Sequence, residues 1–126
     1  MKPKLLVVDD DEEIRTQIKW ALSEDYDVVI SGDRNEAVKS FREKQPAATL
    51  LDLGLPPQPN DITEGLAALD ELLSINPAAK VIILSGQSEK QNAIEAVGSG
   101  AYDFLCKPVE MTELKLLLRR CIYSAT

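Results

Sequence analysis

The sequence predicts an α/β protein, a doubly wound three-layer sandwich with helices on both faces of a parallel sheet. Three observations predict it. Five short apolar runs recur along the chain: Leu5–Val8, Val28–Ile30, Ala47–Leu51, Val81–Leu84 and Phe104–Cys106. Several of them are continuous rather than alternating, as strands covered on both faces require. The stretches between them carry apolar residues at helical spacing. A (βα)5 alternation of this kind is best satisfied by an open parallel sheet with right-handed crossovers.

Each element can be justified in turn. The first strand runs into the acidic series Asp9–Glu13, of which Asp11, Glu12 and Glu13 suit the positive end of a helix dipole. Ile14, Ile18, Ala21 and Leu22 share one face of that helix, and Trp20 falls off it, as a partly exposed contact would. After the second strand, Asp33 stands three residues before Glu36, the spacing of a capping box, and Pro46 marks the end of the helix. The third strand is followed by an irregular stretch, Gly54–Thr63, too rich in proline (Pro56, Pro57, Pro59) to be helical. Leu66, Leu69, Leu72 and Leu73 then line a third helix that Pro77 stops. Ser88 and Gln91 repeat the capping-box spacing before a fourth helix, whose inner side offers mainly Ala93 and Ala96 with Ile94 and Val97. A helix so thinly anchored suits a movable element. The last helix carries Leu114, Leu117, Leu118, Cys121 and Ile122 on one face, leaving Ser124–Thr126 beyond it.

At 126 residues the chain is one domain, spanning 1–126, long enough to bury a core without disulfide or metal. Its balance of 14 basic and 21 acidic residues, a net charge of −7, argues against direct contact with nucleic acid or an anionic membrane. There is no histidine, which excludes Ser-His-Asp and Cys-His catalysis and most transition-metal sites. The sequence has no apolar run of membrane-spanning length and no signal peptide. Cys106 and Cys121 lie in apolar stretches without framework or metal spacing. They read as inert packing residues in a cytoplasmic protein.

In a doubly wound sheet, ligands bind beyond the carboxyl ends of the strands. The first run ends there in Asp9 and Asp10, the third in Asp52, the fourth in Ser85 and the fifth in Lys107, followed by Pro108. Taken singly, each is as well explained as a turn or surface residue; taken together, they converge. Clustered carboxylates call for a hard divalent cation, and oxygen ligands with retained waters suit Mg²⁺ (or Mn²⁺). A carboxylate can also act as a nucleophile and form an aspartyl phosphate. The metal, an amine and a hydroxyl would then stabilise the phosphoryl oxygens. An ionised carboxylate needs no general base, so the lack of histidine does not oppose this chemistry.

These residues resemble the receiver domain of two-component response regulators. The likeness rests on LLVVDD (5–10), DLGLP (52–56), LSG (84–86), GAYD (100–103) and KP (107–108), in order over nearly the whole chain. It implies a flavodoxin-like fold with strand order 2-1-3-4-5. It makes Asp52 the phosphoacceptor, Asp10 the main metal carboxylate with Asp9 beside it, and the backbone carbonyl of Gly54 a third metal contact. Lys107 would pair with Asp52 and then with the phosphoryl group, across a candidate cis bond to Pro108. Ser85 and Phe104 would be the switch residues. Gly54 and Gln87 flank the path of the hydrolytic water and would set phosphoryl lifetime. The implied partner is a sensor histidine kinase, and the implied output is a changed surface on the fourth helix, fifth strand and fifth helix, with homodimerisation. The only catalysis implied is self-catalysed, Mg-dependent phosphotransfer and dephosphorylation, so the chain is not expected to be an enzyme.

Some positions depart from the family's usual pattern. Gly54 replaces a larger side chain, Phe104 lacks a tyrosine hydroxyl, and the loop from Pro56 to Thr63 is long. LDLGLPPQPNDITEGL (51–66), QIKW and GDRNEA are similar to regulators associated with PEP-CTERM sorting and exopolysaccharide gene clusters. There a receiver precedes an AAA+ ATPase and a DNA-binding helix-turn-helix, which implies that 1–126 is the N-terminal part of a longer regulator. The alternative is a receiver-like interaction module that works without phosphorylation. A conventional aspartate-nucleophile phosphatase is disfavoured, because Asp52 is followed by Leu53 and Gly54 rather than by a second Asp two residues on.

Overall fold

The computed structural model describes residues 2–56 and 62–123. Five strands and five helices alternate: β1 Lys4–Val8, α1 Glu12–Leu22, β2 Asp27–Ser31, α2 Arg34–Lys44, β3 Ala48–Asp52, α3 Thr63–Ile75, β4 Val81–Ser85, α4 Lys90–Gly98, β5 Asp103–Cys106 and α5 Met111–Tyr123. All strand pairs are parallel, in the order β2-β1-β3-β4-β5. This is the flavodoxin-like order that the sequence resemblance implies.

The continuous apolar runs split their side chains between two cores, because successive residues of a strand point to opposite faces. Leu5, Val7, Leu50, Ile82 and Leu84 pack with Ile18 and Leu22 of α1 and with Leu114, Leu118 and Cys121 of α5. Leu6, Val8, Leu51, Val81 and Ile83 pack on the other face with Phe41 of α2, Leu69 and Leu72 of α3, and Ala93 and Ala96 of α4. Both faces of the sheet are therefore covered; of its buried polar residues, Ser31, Asp52 and Ser85 close their strands and Thr49 lies inside β3.

The capping signals are realised unevenly. Asp33 caps α2, accepting from the Glu36 N–H at 2.8 Å, and Glu36 reaches back to the Gly32 N–H at 3.5 Å. Asp11 caps α1 through the Glu13 and Ile14 N–H groups, at 2.9 and 3.3 Å. The capping box expected at Ser88 does not form. Gln87–Glu89 is a 3-10 turn closed by Glu89 N–H on the Gly86 carbonyl at 3.0 Å, and α4 starts only at Lys90 without a side-chain cap. The turn absorbs Ser88 before it can act as a cap. Ile94, expected on the inner side of α4, is 45% exposed, so the buried anchors of α4 are Ala93 and Ala96 alone. Trp20 is 88% exposed.

Three strands end one residue later than their apolar runs. β2 takes in Ser31, β3 takes in Asp52 and β4 takes in Ser85, paired with Val8, Leu84 and Cys106 respectively, because the backbone ladder continues whatever the side chain. At Gly65 the first turn of α3 presses on the chain just beyond Asp52: a Cβ there would lie 2.3 Å from the Leu53 carbonyl oxygen. Pro57 and Pro59, part of the proline-rich loop read from the sequence, lie outside the described residues.

Candidate functional site

The parallel sheet carries the carboxyl ends of β1, β3, β4 and β5 to one edge, and backbone bonds hold the residues just beyond them. Asp9 N–H donates to the Ser31 carbonyl at 3.1 Å, Leu53 N–H to the Leu84 carbonyl at 3.4 Å, and Lys107 N–H to the Ser85 carbonyl at 2.7 Å. Five residue positions read from the sequence, Asp9, Asp10, Asp52, Ser85 and Lys107, thereby stand at this one edge.

Asp9 is fully buried. Its Oδ1 accepts from the Asp11 N–H at 2.9 Å, and its Oδ2 lies 3.3 Å from Lys107 Nζ. Asp52 is 7% exposed. Its Oδ1 accepts from the Gly54 N–H at 3.2 Å and also lies 3.3 Å from Lys107 Nζ. One amine thus spans two buried carboxylates. The Lys107–Pro108 peptide bond is cis. Asp10 is exposed, and one carboxylate oxygen from each of Asp9, Asp10 and Asp52 lies within 4.8 Å of the others.

The charge balance explains the electrostatics. Lys107 supplies one positive charge against two buried negative ones, so ionising both carboxylates is costly. Burial, and then the charge of Asp9, push the Asp52 carboxyl from 3.8 up to about 7, although Lys107 and the Gly54 N–H pull the other way. Burial opposes the charge on Lys107, but Asp52 and Asp9 outweigh it and hold the amine above its ordinary 10.5. The cluster remains short of positive charge.

A hard cation fits that deficit. Among the described residues, the buried Asp9 Oδ2 accepts no well-aligned hydrogen bond, its contact with Lys107 being an ion pair only. The exposed Asp10 leaves one side of the cluster open for water ligands. Asp9, Asp10 and Asp52 can therefore hold a divalent metal ion.

Ser85 Oγ is buried and, among the described residues, has no hydrogen-bond partner. A buried hydroxyl without a partner costs free energy unless a ligand uses it. Phe104 is half-buried and packs against the α2–α3–α4 core. Cys121 is buried, and burial pushes its thiol up to about 11, which makes it unreactive. Two contacts escaped sequence reading. The Asp11 backbone, seen only as a helix start, helps fix Asp9. The Gln87 side chain, assigned only to the water path, donates from Nε2 to the Lys107 carbonyl at 3.3 Å. Its position two residues after Ser85 was the available signal.

The profile of the family described as "Response regulator receiver domain" matches residues 5–119. The chemotaxis protein CheY of Listeria monocytogenes is 36% identical over 109 residues, covering 85% of this chain and 87% of CheY. A putative NtrX-like response regulator of Rickettsia felis is 34% identical over 117 residues, 92% of this chain but 24% of that protein. Among solved structures, the receiver domain of NtrX from Brucella abortus superposes with a TM-score of 0.88 at 31% identity, covering 97% of this chain and 100% of that one. The chain thus spans nearly all of one kind of relative and about a quarter of another.

Proposed function

This chain belongs to the response regulator receiver domain family, and on that premise we propose that Asp52 accepts a phosphoryl group from a partner histidine kinase and so switches the chain's surface. One observation carries the reading. Lys107 Nζ stands 3.3 Å from both Asp9 and Asp52, within a three-carboxylate cluster at the carboxyl edge of the sheet.

Asp9, Asp10 and Asp52, with the Gly54 carbonyl, would hold Mg²⁺ or Mn²⁺. When bound, the ion neutralises charge on the phosphoryl oxygens and on the attacking carboxylate. An Asp52 oxygen attacks phosphorus, the bond from phosphorus to the donor imidazole breaks, and the imidazole keeps the electron pair and takes a proton. Asp52 does this as a carboxylate. Lys107, already within reach, transfers its ion pair to the phosphoryl oxygens. Ser85 Oγ, buried and without a hydrogen-bond partner among the described residues, donates to one of them. Phosphorylation adds about −1.5 to −2 charges. That charge draws the ends of β4 and β5 inward and repacks α4, β5 and α5. Phe104 follows by packing alone. Gly54 and Gln87 govern how long the phosphoryl group survives.

The longer relatives, about a quarter of whose length this chain spans, support a further part of the reading: 1–126 is the receiver of a larger regulator with an AAA+ and DNA-binding effector. On the same reading that regulator is cytoplasmic and homodimerises on activation. Among the described residues, no helix is long and apolar enough to cross a membrane. The test is direct. With Mg²⁺ and a small phosphodonor, intact mass should rise by one phosphoryl group, and Asp52→Asn should abolish the rise. Undiminished labelling of that variant would remove Asp52 from the role.

A further inference from the structure

Lysine 107 reaches its carboxylates on a long, flexible stem, so the direction of its amine depends on how its backbone is held. Both backbone polar groups of Lys107 are held from the end of β4. Its N–H donates to the Ser85 carbonyl at 2.7 Å, and its carbonyl accepts from Gln87 Nε2 at 3.3 Å. Gln87 opens the 3-10 turn that follows β4 and is exposed, so nothing in the apolar core accounts for this side chain. Among the described residues, its carboxamide bonds to the residue whose Nζ joins Asp9 to Asp52.

We infer that Gln87 is a positioning residue for Lys107: its carboxamide holds the Lys107 carbonyl, fixes the turn into Pro108, and so sets how the amine meets Asp52. The consequence for rate rests on the reading of Asp52 as phosphoacceptor. The role differs from guarding the hydrolytic water, because it acts through Lys107 and on the forward step.

Three measurements test it. Gln87→Ala removes the tie, and Gln87→Glu keeps its size while replacing the donor with a carboxylate. Both should slow labelling by a small phosphodonor in Mg²⁺ about three- to tenfold, the scale of one exposed hydrogen bond. A Gln87→Glu chain as fast as the parent would overturn the inference. In a Lys107→Ala background, Gln87→Ala should change the rate no further; a full additive effect would show that Gln87 acts without Lys107 and would overturn it. Without any phosphodonor, amide exchange at Lys107 should quicken in Gln87→Ala relative to Leu105, and an unchanged ratio would contradict the tie. A parent chain that never takes up a phosphoryl group would defeat the acceptor reading and the rate consequence with it. The exchange ratio would still decide whether Gln87 holds Lys107.

Discussion

Replacing Asp52 by asparagine should stabilise the metal-free chain, and the gain should depend on pH in a fixed direction. Asparagine keeps the shape of a protonated carboxyl but cannot ionise. In the folded chain burial and Asp9 raise Asp52 from 3.8 to about 7. A carboxyl raised on folding contributes stability at low pH, and that contribution is lost as pH rises through the window from 3.8 to about 7. Above the window the parent must carry an ionised Asp52 that the fold disfavours, at a cost of up to about 4 kcal/mol. Urea unfolding without metal should therefore find Asp52→Asn more stable than the parent at pH 8 by about 2–4 kcal/mol, with the gap closing toward pH 4. Saturating Mg²⁺ should shrink the gap at pH 8, because the ion stabilises the chain that keeps all three carboxylates. A variant less stable than the parent at pH 8, or a gain that does not change with pH, would refute the electrostatic account of the site.

Other consequences follow from packing and pairing. Gly65→Ala forces a Cβ against the Leu53 carbonyl at 2.3 Å and should cost about 2–3 kcal/mol in urea unfolding, since backbone rather than a pliable side chain must give way. Native-state hydrogen exchange should find α4 opening at least about tenfold more often than α3. Each Leu buried in α3 contributes about 1.5–3 kcal/mol, whereas α4 buries only Ala93 and Ala96. Lys107→Ala should still accept a phosphoryl group, more slowly, while the amide spectrum of α4 and β5 ceases to respond to it; a full response would argue against coupling through this amine.

Much of the fold was legible because burial on both sheet faces leaves continuous apolar runs such as Val81–Leu84, and because residues like Asp33 and Pro46 mark helix ends locally. The candidate site was legible for a related reason. Ionisable residues directly following apolar runs, such as Asp9 after Val8 and Lys107 after Cys106, have no place in a core and must serve the edge. What stayed hidden depended on tertiary or fine backbone geometry. Ser88 has the right spacing for a cap, but a 3-10 turn shifts the start of α4 beyond it. Ile94 looks like core until the helix phase turns it outward. The reach of Gln87 to the Lys107 carbonyl spans two loops that only the sheet brings together. No pattern along the chain announces that Gly65 must clear the Leu53 backbone.

Asp52, held beside Lys107 and two other carboxylates, is the residue we propose takes the phosphoryl group. Borohydride reduction tests it most directly, because it converts an aspartyl phosphate to homoserine and leaves free aspartate alone. After incubation with Mg²⁺ and a small phosphodonor, reduction and peptide sequencing should find homoserine at residue 52. Homoserine at Asp9 or Asp10 instead, or at no position while the chain binds Mg²⁺ and remains folded, would contradict the account.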